Sequence, residues 1–387
     1  MSIKIVYCIP SLYIIGGMER TLTTKANYLA DKLNYNVSII LTDGKDKKPA
    51  YPLSDKIKII NLNLNYDKIN SYTLVRKLFA YLPRQWRYKR RLTKVLNTIK
   101  PDITISMLRR EINFITKIND GSIKIGELHV NRNNFRDFDV SSSDNSLKSF
   151  FAKLWMAQLI RNLKKLKQFI VLSYEDKEKW SEVDGVKVIY NPITLPDKIS
   201  DCSSKKVIAA GRYVSQKGFD MLIDIWKIVS EKHPDWTLTI YGSGNKDAFQ
   251  KQVNDNNISE TCLLMDAVSN LNDKLAESSI FAFSSRFEGF SMLMIEALGC
   301  GLPPVSFSCP CGPKDVIENG VNGFLVEIGD ITGFAEKICF LIENEEKRRE
   351  MGKIAQMRSE KFSIDKIATE WDNLFRSLVE SKAKSSL

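Results

Sequence analysis

Short apolar runs alternate with longer amphipathic stretches along the whole chain. The first half contains six such runs, at residues 3–8, 37–42, 57–64, 103–107, 123–127 and 169–172. The second half repeats the alternation with six more, at residues 206–210, 237–241, 262–265, 280–283, 304–307 and 323–326. Strands separated by helical stretches form parallel sheets that are covered by helices on both faces. The pattern therefore predicts an α/β protein with two doubly wound, Rossmann-like domains, whose ligands bind at the carboxyl ends of the strands.

The boundary between the two series of strands is marked by proline. The chain of 387 residues is longer than one hydrophobic core usually supports. A proline-containing stretch that begins at Asn191–Pro192 separates the two series. We therefore predict an N-terminal domain over residues 1–192 and a C-terminal domain over residues 193–363. One further amphipathic helix is predicted over residues 364–387, because the apolar positions there recur with helical spacing.

Composition and charge indicate the cellular compartment of the protein and the charge of its partner. No apolar run approaches the ~20 residues that span a bilayer, and the N-terminus reads as a buried strand rather than a signal peptide. Seven cysteines without metal-type spacing indicate a reducing cytoplasm. The net charge of +11 is uneven, because residues 1–200 carry 35 Lys and Arg against 19 Asp and Glu, and the rest carry 22 against 27. We therefore expect a cytoplasmic protein whose first half engages an anionic partner.

The stretch Ser285–Leu298 carries the strongest chemical signal. It reads SRFEGFSMLMIEAL, so that Glu288 and Glu296 lie eight residues apart. An apolar strand precedes this stretch, and a helix is predicted to begin near Ser291. Backbone amides at a helix N-terminus bind phosphate, while carboxylates accept hydrogen bonds from sugar and ribose hydroxyls. The stretch therefore predicts a site for a sugar nucleotide.

Within the surrounding sequence FEGF…IEALGCGLP, this pair of glutamates resembles the signature of family 4 glycosyltransferases. Those enzymes are retaining and have the GT-B fold, and the resemblance covers most of the chain. It implies two Rossmann-like domains that face each other across a cleft, with the C-terminal helix packing back toward the N-terminal domain. The wording CGPKDVI…GVNGFLV, within residues 311–326, is similar to a branch that often uses UDP-activated hexoses or N-acetylhexosamines.

Other segments extend the resemblance. After the first strand of the second half, GRYVSQKG places Arg212 and Lys217 where the family binds phosphate, and a nucleoside diphosphate requires such fixed positive charge. Gly242 ends the next strand in a turn like the family's glycine turn beside the nucleotide. In the first half, GGMER at residues 16–20 resembles the family's GGxER loop. His129 follows an apolar strand, where many family members carry a histidine that can contact a sugar hydroxyl or the phosphate.

The resemblance implies a role for each of these residues. Glu288, Arg212, Lys217 and His129 are the catalytic candidates. The candidates for binding the nucleotide sugar are Gly17, Gly211, Gly242, Gly289, Phe290, Ser291, Met292 and Glu296. It implies no metal and no cofactor: the nucleotide sugar is a substrate, and the acceptor is a growing glycan or a lipid-linked glycan, as in lipopolysaccharide or capsule synthesis.

Two basic stretches in the first half suggest a further partner. Residues 76–100 and residues 147–169 interleave Lys and Arg with Trp, Phe and Leu. An interfacial helix on an anionic leaflet presents this combination, although ordinary surface helices can present it too. We expect peripheral docking on the inner face of the cell membrane. No nucleic-acid-binding module is present, and we expect no nucleic-acid partner.

Three other interpretations remain open at this stage. Asp137–Phe138–Asp139 has the Asp-x-Asp form that metal-dependent glycosyltransferases use, but it lies in a polar stretch rather than at a strand end. A nucleotide-sugar epimerase with the GT-B fold would share the donor site and would turn over without an acceptor. A non-catalytic protein that binds an anionic membrane would explain the basic half but leave the glutamates and the phosphate segment unexplained.

Overall fold

The computed structural model describes residues 2–69, 73–132 and 147–385. It divides into two compact units, one formed by Met1–Pro192 with Ile364–Leu387 and the other by Ile193–Ser363. Asp137 and Asp139 lie outside the described residues, as does the rest of the polar stretch around them.

The first unit is built on a parallel sheet of seven strands. These are β1 (Lys4–Ile9), β2 (Asn36–Leu41), β3 (Lys58–Asn61), β4 (Ile103–Ser106), β5 (Ile123–Glu127), β6 (Gln168–Val171) and β7 (Val186–Val188). Their order is β3-β2-β1-β4-β5-β6-β7, and every described pairing is parallel. The connecting helices are α1 (Gly17–Asp31), α2 (Leu74–Ile99), α3 (Leu147–Leu163) and α4 (Tyr174–Lys179).

The second unit repeats this architecture with six parallel strands. They are β8 (Lys206–Ala210), β9 (Thr237–Gly242), β10 (Cys262–Asp266), β11 (Ile280–Phe283), β12 (Pro304–Phe307) and β13 (Phe324–Val326), in the order β10-β9-β8-β11-β12-β13. The helices are α5 (Phe219–Lys232), α6 (Asp247–Asp255), α7 (Leu271–Ala276), α8 (Met292–Gly299), α9 (Pro313–Val316), α10 (Ile331–Glu343) and α11 (Glu345–Ser359). All residues of β11 and β12 are buried, as expected for central parallel strands covered on both faces. The predicted α/β fold with two doubly wound parallel sheets is confirmed.

The last helix, α12 (Ile364–Ser385), packs in the first unit against α1. Trp371 is buried on this helix, and the Tyr28 hydroxyl of α1 donates a hydrogen bond of 2.7 Å to Asp365. The chain therefore leaves the first unit at Pro192 and returns to it at Ile364.

Candidate functional site

The strand order of the second unit places two loops side by side. The chain runs outward from β8 through β9 to β10, then returns to the other side of β8 with β11 and continues to β13. The carboxyl ends of β8 and β11 therefore flank the point where the strand order reverses, which is where doubly wound sheets bind their ligands. We call Gly211–Gly218, after β8, the phosphate loop, and Ser284–Ser291, after β11, the glutamate loop.

Direct hydrogen bonds hold the phosphate loop and the glutamate loop together. The Ser284 hydroxyl donates to the Lys217 carbonyl at 2.9 Å, and the Arg286 amide donates to the Gln216 carbonyl at 2.8 Å. In return, the Gln216 side chain donates to the Phe287 carbonyl at 3.0 Å. These bonds fix the position of Lys217 relative to the glutamate loop.

An ion pair reinforces the contact between the two loops. The Arg286 guanidinium donates to both carboxylate oxygens of Asp220, in the first turn of α5, at 2.8 and 2.6 Å. This charge-assisted bond lowers the pKa of Asp220, although partial burial opposes the shift. The same guanidinium donates to the Ser215 carbonyl at 2.6 Å. Arg286, on the glutamate loop, thus contacts Ser215 and Asp220, which lie on either side of Lys217 in the sequence.

Glycine is required where backbones approach closely. A Cβ atom on Gly242 would lie 2.2 Å from the Gly211 carbonyl oxygen, so the turn after β9 packs directly against the start of the phosphate loop. Gly218 has a φ of +63° and faces the Ser284 carbonyl oxygen, which would lie 2.1 Å from an added Cβ. Only glycine combines this backbone conformation with this contact.

The structure brings Lys217 and Glu288 into direct contact. The Lys217 ammonium lies 2.7 Å from Glu288 Oε1, and their side chains are 17% and 9% exposed. The aliphatic part of Lys217 runs over Gly211, where an added Cβ would lie 3.1 Å from its Cε atom. Because an ammonium has three N–H donors, Lys217 can hold Glu288 with one and contact a further anion with another.

The glutamate loop leads into α8, which begins at Met292. Ser291 caps this helix, since its hydroxyl accepts a hydrogen bond of 3.3 Å from the Met294 amide. The positive end of the helix dipole therefore lies beside Glu288. Gly312 approaches the loop from the other side, where an added Cβ would lie 3.9 Å from Glu288 Cβ and 3.7 Å from the Ser291 amide. Gly289, Phe290, Ser291 and Met292 thus form the link between the carboxylate and the helix N-terminus.

The remaining candidates of the second unit differ in exposure. Arg212 lies on the phosphate loop but is exposed. Glu296 lies on α8 and is only 4% exposed. The structure therefore brings Gly211, Lys217, Gly242 and Glu288 together. Of the other two candidates, Arg212 is exposed and Glu296 is buried.

The first unit has a pocket at the equivalent point of its own sheet. A cavity of about 390 Å³ lies beyond the ends of β1 and β4, the strands at which the order of this sheet reverses. Its lining includes Ile14, Glu19, Tyr81 and Arg109. Gly17 begins α1 beside this cavity, and an added Cβ there would meet no atom within 4 Å.

His129 belongs to a buried polar network in the first unit. Its Nε2 atom lies 3.0 Å from Glu127 Oε1, and the Lys25 ammonium lies 2.6 Å from the same carboxylate. Burial alone would raise the pKa of Glu127, but Lys25 and His129 together lower it to about 2. Sequence reasoning missed Lys25, although a lysine three residues after Leu22 on the apolar face of α1 was a usable signal.

Metal-binding clusters and membrane-spanning helices are both absent from the described part of the chain. Among residues 2–69, 73–132 and 147–385, no cluster of three or more His, Cys, Asp or Glu side chains has an arrangement that could hold a metal ion. No helix in those same ranges has the length and apolar character needed to cross a membrane.

Comparison with known proteins shows similarity to glycosyltransferases. Residues 197–358 match the model of the family described as "Glycosyl transferases group 1". The chain is 27% identical over 377 residues to an uncharacterized glycosyltransferase of Haemophilus influenzae, covering 96% of this chain and 99% of the relative. It is 24% identical over 385 residues to the amylovoran biosynthesis glycosyltransferase AmsD of Erwinia amylovora, with coverage of 96% and 99%.

Solved structures give the same fold. A mutant of TarM from S. aureus, crystallised with Fondaparinux, alpha-GlcNAc-glycerol and UDP, is similar with a TM-score of 0.76 at 19% identity, covering 96% of this chain and 99% of that one. The expected GT-B fold is thereby confirmed, and the expected resemblance to glycosyltransferases is confirmed over residues 197–358. The chain is thus similar to the group 1 glycosyltransferases over residues 197–358, and to bacterial glycosyltransferases over nearly its whole length.

Proposed function

We propose that this enzyme moves a hexosyl or N-acetylhexosaminyl unit from a UDP-linked donor to a growing cell-surface glycan, with retention of configuration and without a metal. The observation that carries this proposal is the contact between Lys217 and Glu288 at 2.7 Å, between two loops that meet where the strand order reverses. It supplies a cation for a diphosphate and a carboxylate for sugar hydroxyls at one place. The UDP in the TarM crystal and the role of AmsD in amylovoran biosynthesis support the choice of nucleotide and of acceptor class.

The proposed chemistry depends on stabilising the leaving diphosphate. As the bond between the sugar and the phosphate breaks, negative charge grows on the diphosphate, and Lys217, Arg212 and the N-terminus of α8 are the groups that offset it. Glu288 accepts hydrogen bonds from donor-sugar hydroxyls, while Glu296 accepts them from the ribose. The attacking hydroxyl enters on the face that the diphosphate leaves and transfers its proton to the phosphate, so no enzyme nucleophile is needed.

Release of UDP from a panel of donors tests this proposal. The enzyme is incubated in EDTA with UDP-glucose, UDP-galactose, UDP-N-acetylglucosamine or UDP-N-acetylgalactosamine, with and without an extract of lipid-linked glycans. We expect UDP release from one donor that depends on the extract. Conversion of a donor to its epimer without the extract would instead establish the epimerase alternative. Release of UDP only after Mg²⁺ or Mn²⁺ is added would contradict the metal-independent mechanism.

We also propose that the first unit docks on an anionic bilayer, which would place the enzyme on the inner face of the cell membrane. The supporting feature is a stripe on α2 formed by Phe79, Leu82 and Trp86, which are 74%, 61% and 63% exposed. Their spacing of three and four residues puts them on one side of the helix. Exposed cations surround the stripe, and the Arg90 guanidinium lies 5.5 Å from the centre of the Trp86 ring. Aromatic and apolar residues among cations suit the surface of an anionic leaflet.

Sedimentation with lipid vesicles checks the docking proposal. We expect the protein to sediment with phosphatidylcholine vesicles that contain phosphatidylglycerol, to be released by salt, and to remain free with pure phosphatidylcholine. The double variant Phe79→Ser/Trp86→Ser should lose about tenfold or more in apparent affinity, since two large apolar side chains leave the interface. Phe340→Ser, at a 40% exposed phenylalanine of the second unit, is the matched control. Equal losses in the two variants would refute a role for the α2 stripe.

A further inference from the structure

The Lys25–Glu127–His129 network has a feature that packing does not explain. Lys25 is 0% and Glu127 1% exposed, and the Lys25 ammonium sits 4.0 Å from the centre of the Trp371 ring. A buried ion pair generally gives no more stability than apolar side chains of similar size, because both charges must be removed from water. The pair is therefore better explained by what it does to the third member of the network.

The charge of Glu127 determines which nitrogen of His129 carries the proton. Because the pKa of Glu127 is held at about 2, its carboxylate is ionised at neutral pH and can only accept hydrogen bonds. The contact of 3.0 Å to His129 Nε2 therefore requires a proton on Nε2. In the neutral ring, Nδ1 is then the hydrogen-bond acceptor.

His129 Nδ1 lacks a protein donor in the described part of the chain. The side chain is 5% exposed, and Nδ1 is buried with no hydrogen-bond partner among the described residues. Buried polar atoms in folded proteins are almost always paired, so His129 Nδ1 is available to a donor on a bound ligand. Glu19 and Arg109 line the cavity of the first unit, and His129 lies close enough to Glu19 to interact with it electrostatically. His129 thus belongs to the polar surroundings of that cavity.

We propose that Lys25 and Glu127 are positioning residues that lock His129 in the Nε2-protonated form, so that Nδ1 accepts a hydrogen bond from a hydroxyl of the bound substrate. Lys25 keeps Glu127 ionised, and Glu127 fixes both the tautomer and the orientation of the ring. The contact between Nδ1 and a sugar hydroxyl rests on the proposed function. The effect of Lys25 and Glu127 on the tautomer of His129 does not depend on the proposed function.

The presence of only two histidines makes a direct measurement practical. With ¹⁵N-histidine labelling, NMR resolves both rings and reports which nitrogen of each is protonated. His233 provides an internal control, because its Nε2 lies 3.1 Å from Glu343 Oε1 in a pair where Glu343 is 57% exposed. We expect the ring of His129 in the ligand-free enzyme to carry its proton on Nε2 and to leave Nδ1 unprotonated. A proton on Nδ1, alone or in addition to one on Nε2, would overturn the proposal.

Two variants separate positioning from a merely structural role. Glu127→Gln should give His129 a mixture of tautomers and lower kcat by roughly 10-fold to 100-fold, the range found when the partner that orients a metal-binding histidine is lost. Should Glu127→Gln fail to fold, Lys25→Met/Glu127→Leu replaces the pair with apolar side chains, which is often neutral for stability. Glu343→Gln should change the His233 signals alone. Unchanged His129 tautomer and kcat in a folded variant would refute positioning.

A final NMR experiment tests the contact between His129 Nδ1 and a hydroxyl of the substrate. Adding the donor and the acceptor extract to the labelled wild type should shift the His129 Nδ1 resonance while the His233 signals stay in place. Binding of both substrates without that shift would overturn the hydroxyl contact. If no sugar nucleotide is turned over but the tautomer responds to Glu127→Gln as expected, only the proposed function fails.

Discussion

Lys217→Ala is expected to lower kcat for transfer about 100-fold to 1000-fold, the range found when one preorganised electrostatic stabiliser of a transition state is removed. The Lys217 ammonium is held between Gly211 and Glu288, so its charge is already in place when the diphosphate begins to leave. A water molecule that replaces it has no fixed charge. Steady-state rates of UDP release measure the effect.

A matched control separates this effect from a general loss of positive charge. Lys347 on α11 also pairs with a carboxylate at 2.9 Å, that of Glu350, but on an exposed surface. Lys347→Ala should leave kcat within about twofold, because exposed pairs contribute little. If Lys217→Ala retained more than a third of the wild-type rate while folded by circular dichroism, Lys217 would not be the stabilising cation.

Gly218→Ala is expected to lower the free energy of unfolding of the second unit by about 3 kcal/mol, combining ~1–2 kcal/mol for a left-handed residue with ~1–3 kcal/mol for a forced contact. The reason is local: φ is +63°, and the new Cβ would lie 2.1 Å from the Ser284 carbonyl oxygen. Relief of that contact must push the phosphate loop away from the glutamate loop, so activity should fall as well. Urea unfolding and UDP release measure the two effects.

Gly320→Ala in the same unit isolates the contribution of the contact. Gly320 also has a positive φ, +79°, but an added Cβ there would meet nothing within 4 Å. We expect it to lower the free energy of unfolding by only ~1 kcal/mol and to keep wild-type activity. Equal urea midpoints for the two alanine variants would contradict the close packing of Gly218 on Ser284.

Much of the fold was predictable because the strands are buried on both faces and therefore read as continuous apolar runs. The run at residues 280–283 coincides with β11, and the helix predicted near Ser291 begins at Met292. The run at residues 57–64 was predicted too long, since β3 ends at Asn61 and the backbone turns through left-handed residues at Asn63 and Asn65. The strand β7, with only three residues, gave no usable pattern.

The segments that form the candidate site could be predicted from the sequence, but the contacts between their side chains could not. Sequence patterns could place Lys217 and Glu288 at the ends of two strands, because both follow apolar runs. That the two side chains meet at 2.7 Å depends on β8 and β11 being neighbours in the sheet, a property of the whole fold. The burial of Lys25 is equally non-local, since its partner Glu127 is 102 residues away and α12 covers it with Trp371.

Calorimetric titration of UDP into the EDTA-treated enzyme tests the central claim most directly, which is that Lys217 in the second unit holds the donor diphosphate without a metal. We predict saturable binding to the wild type and to Lys347→Ala, and a loss of affinity of about tenfold or more, ~1.4 kcal/mol or more, in Lys217→Ala. Equal affinity of all three proteins for UDP, or binding that requires added Mg²⁺, would contradict the account.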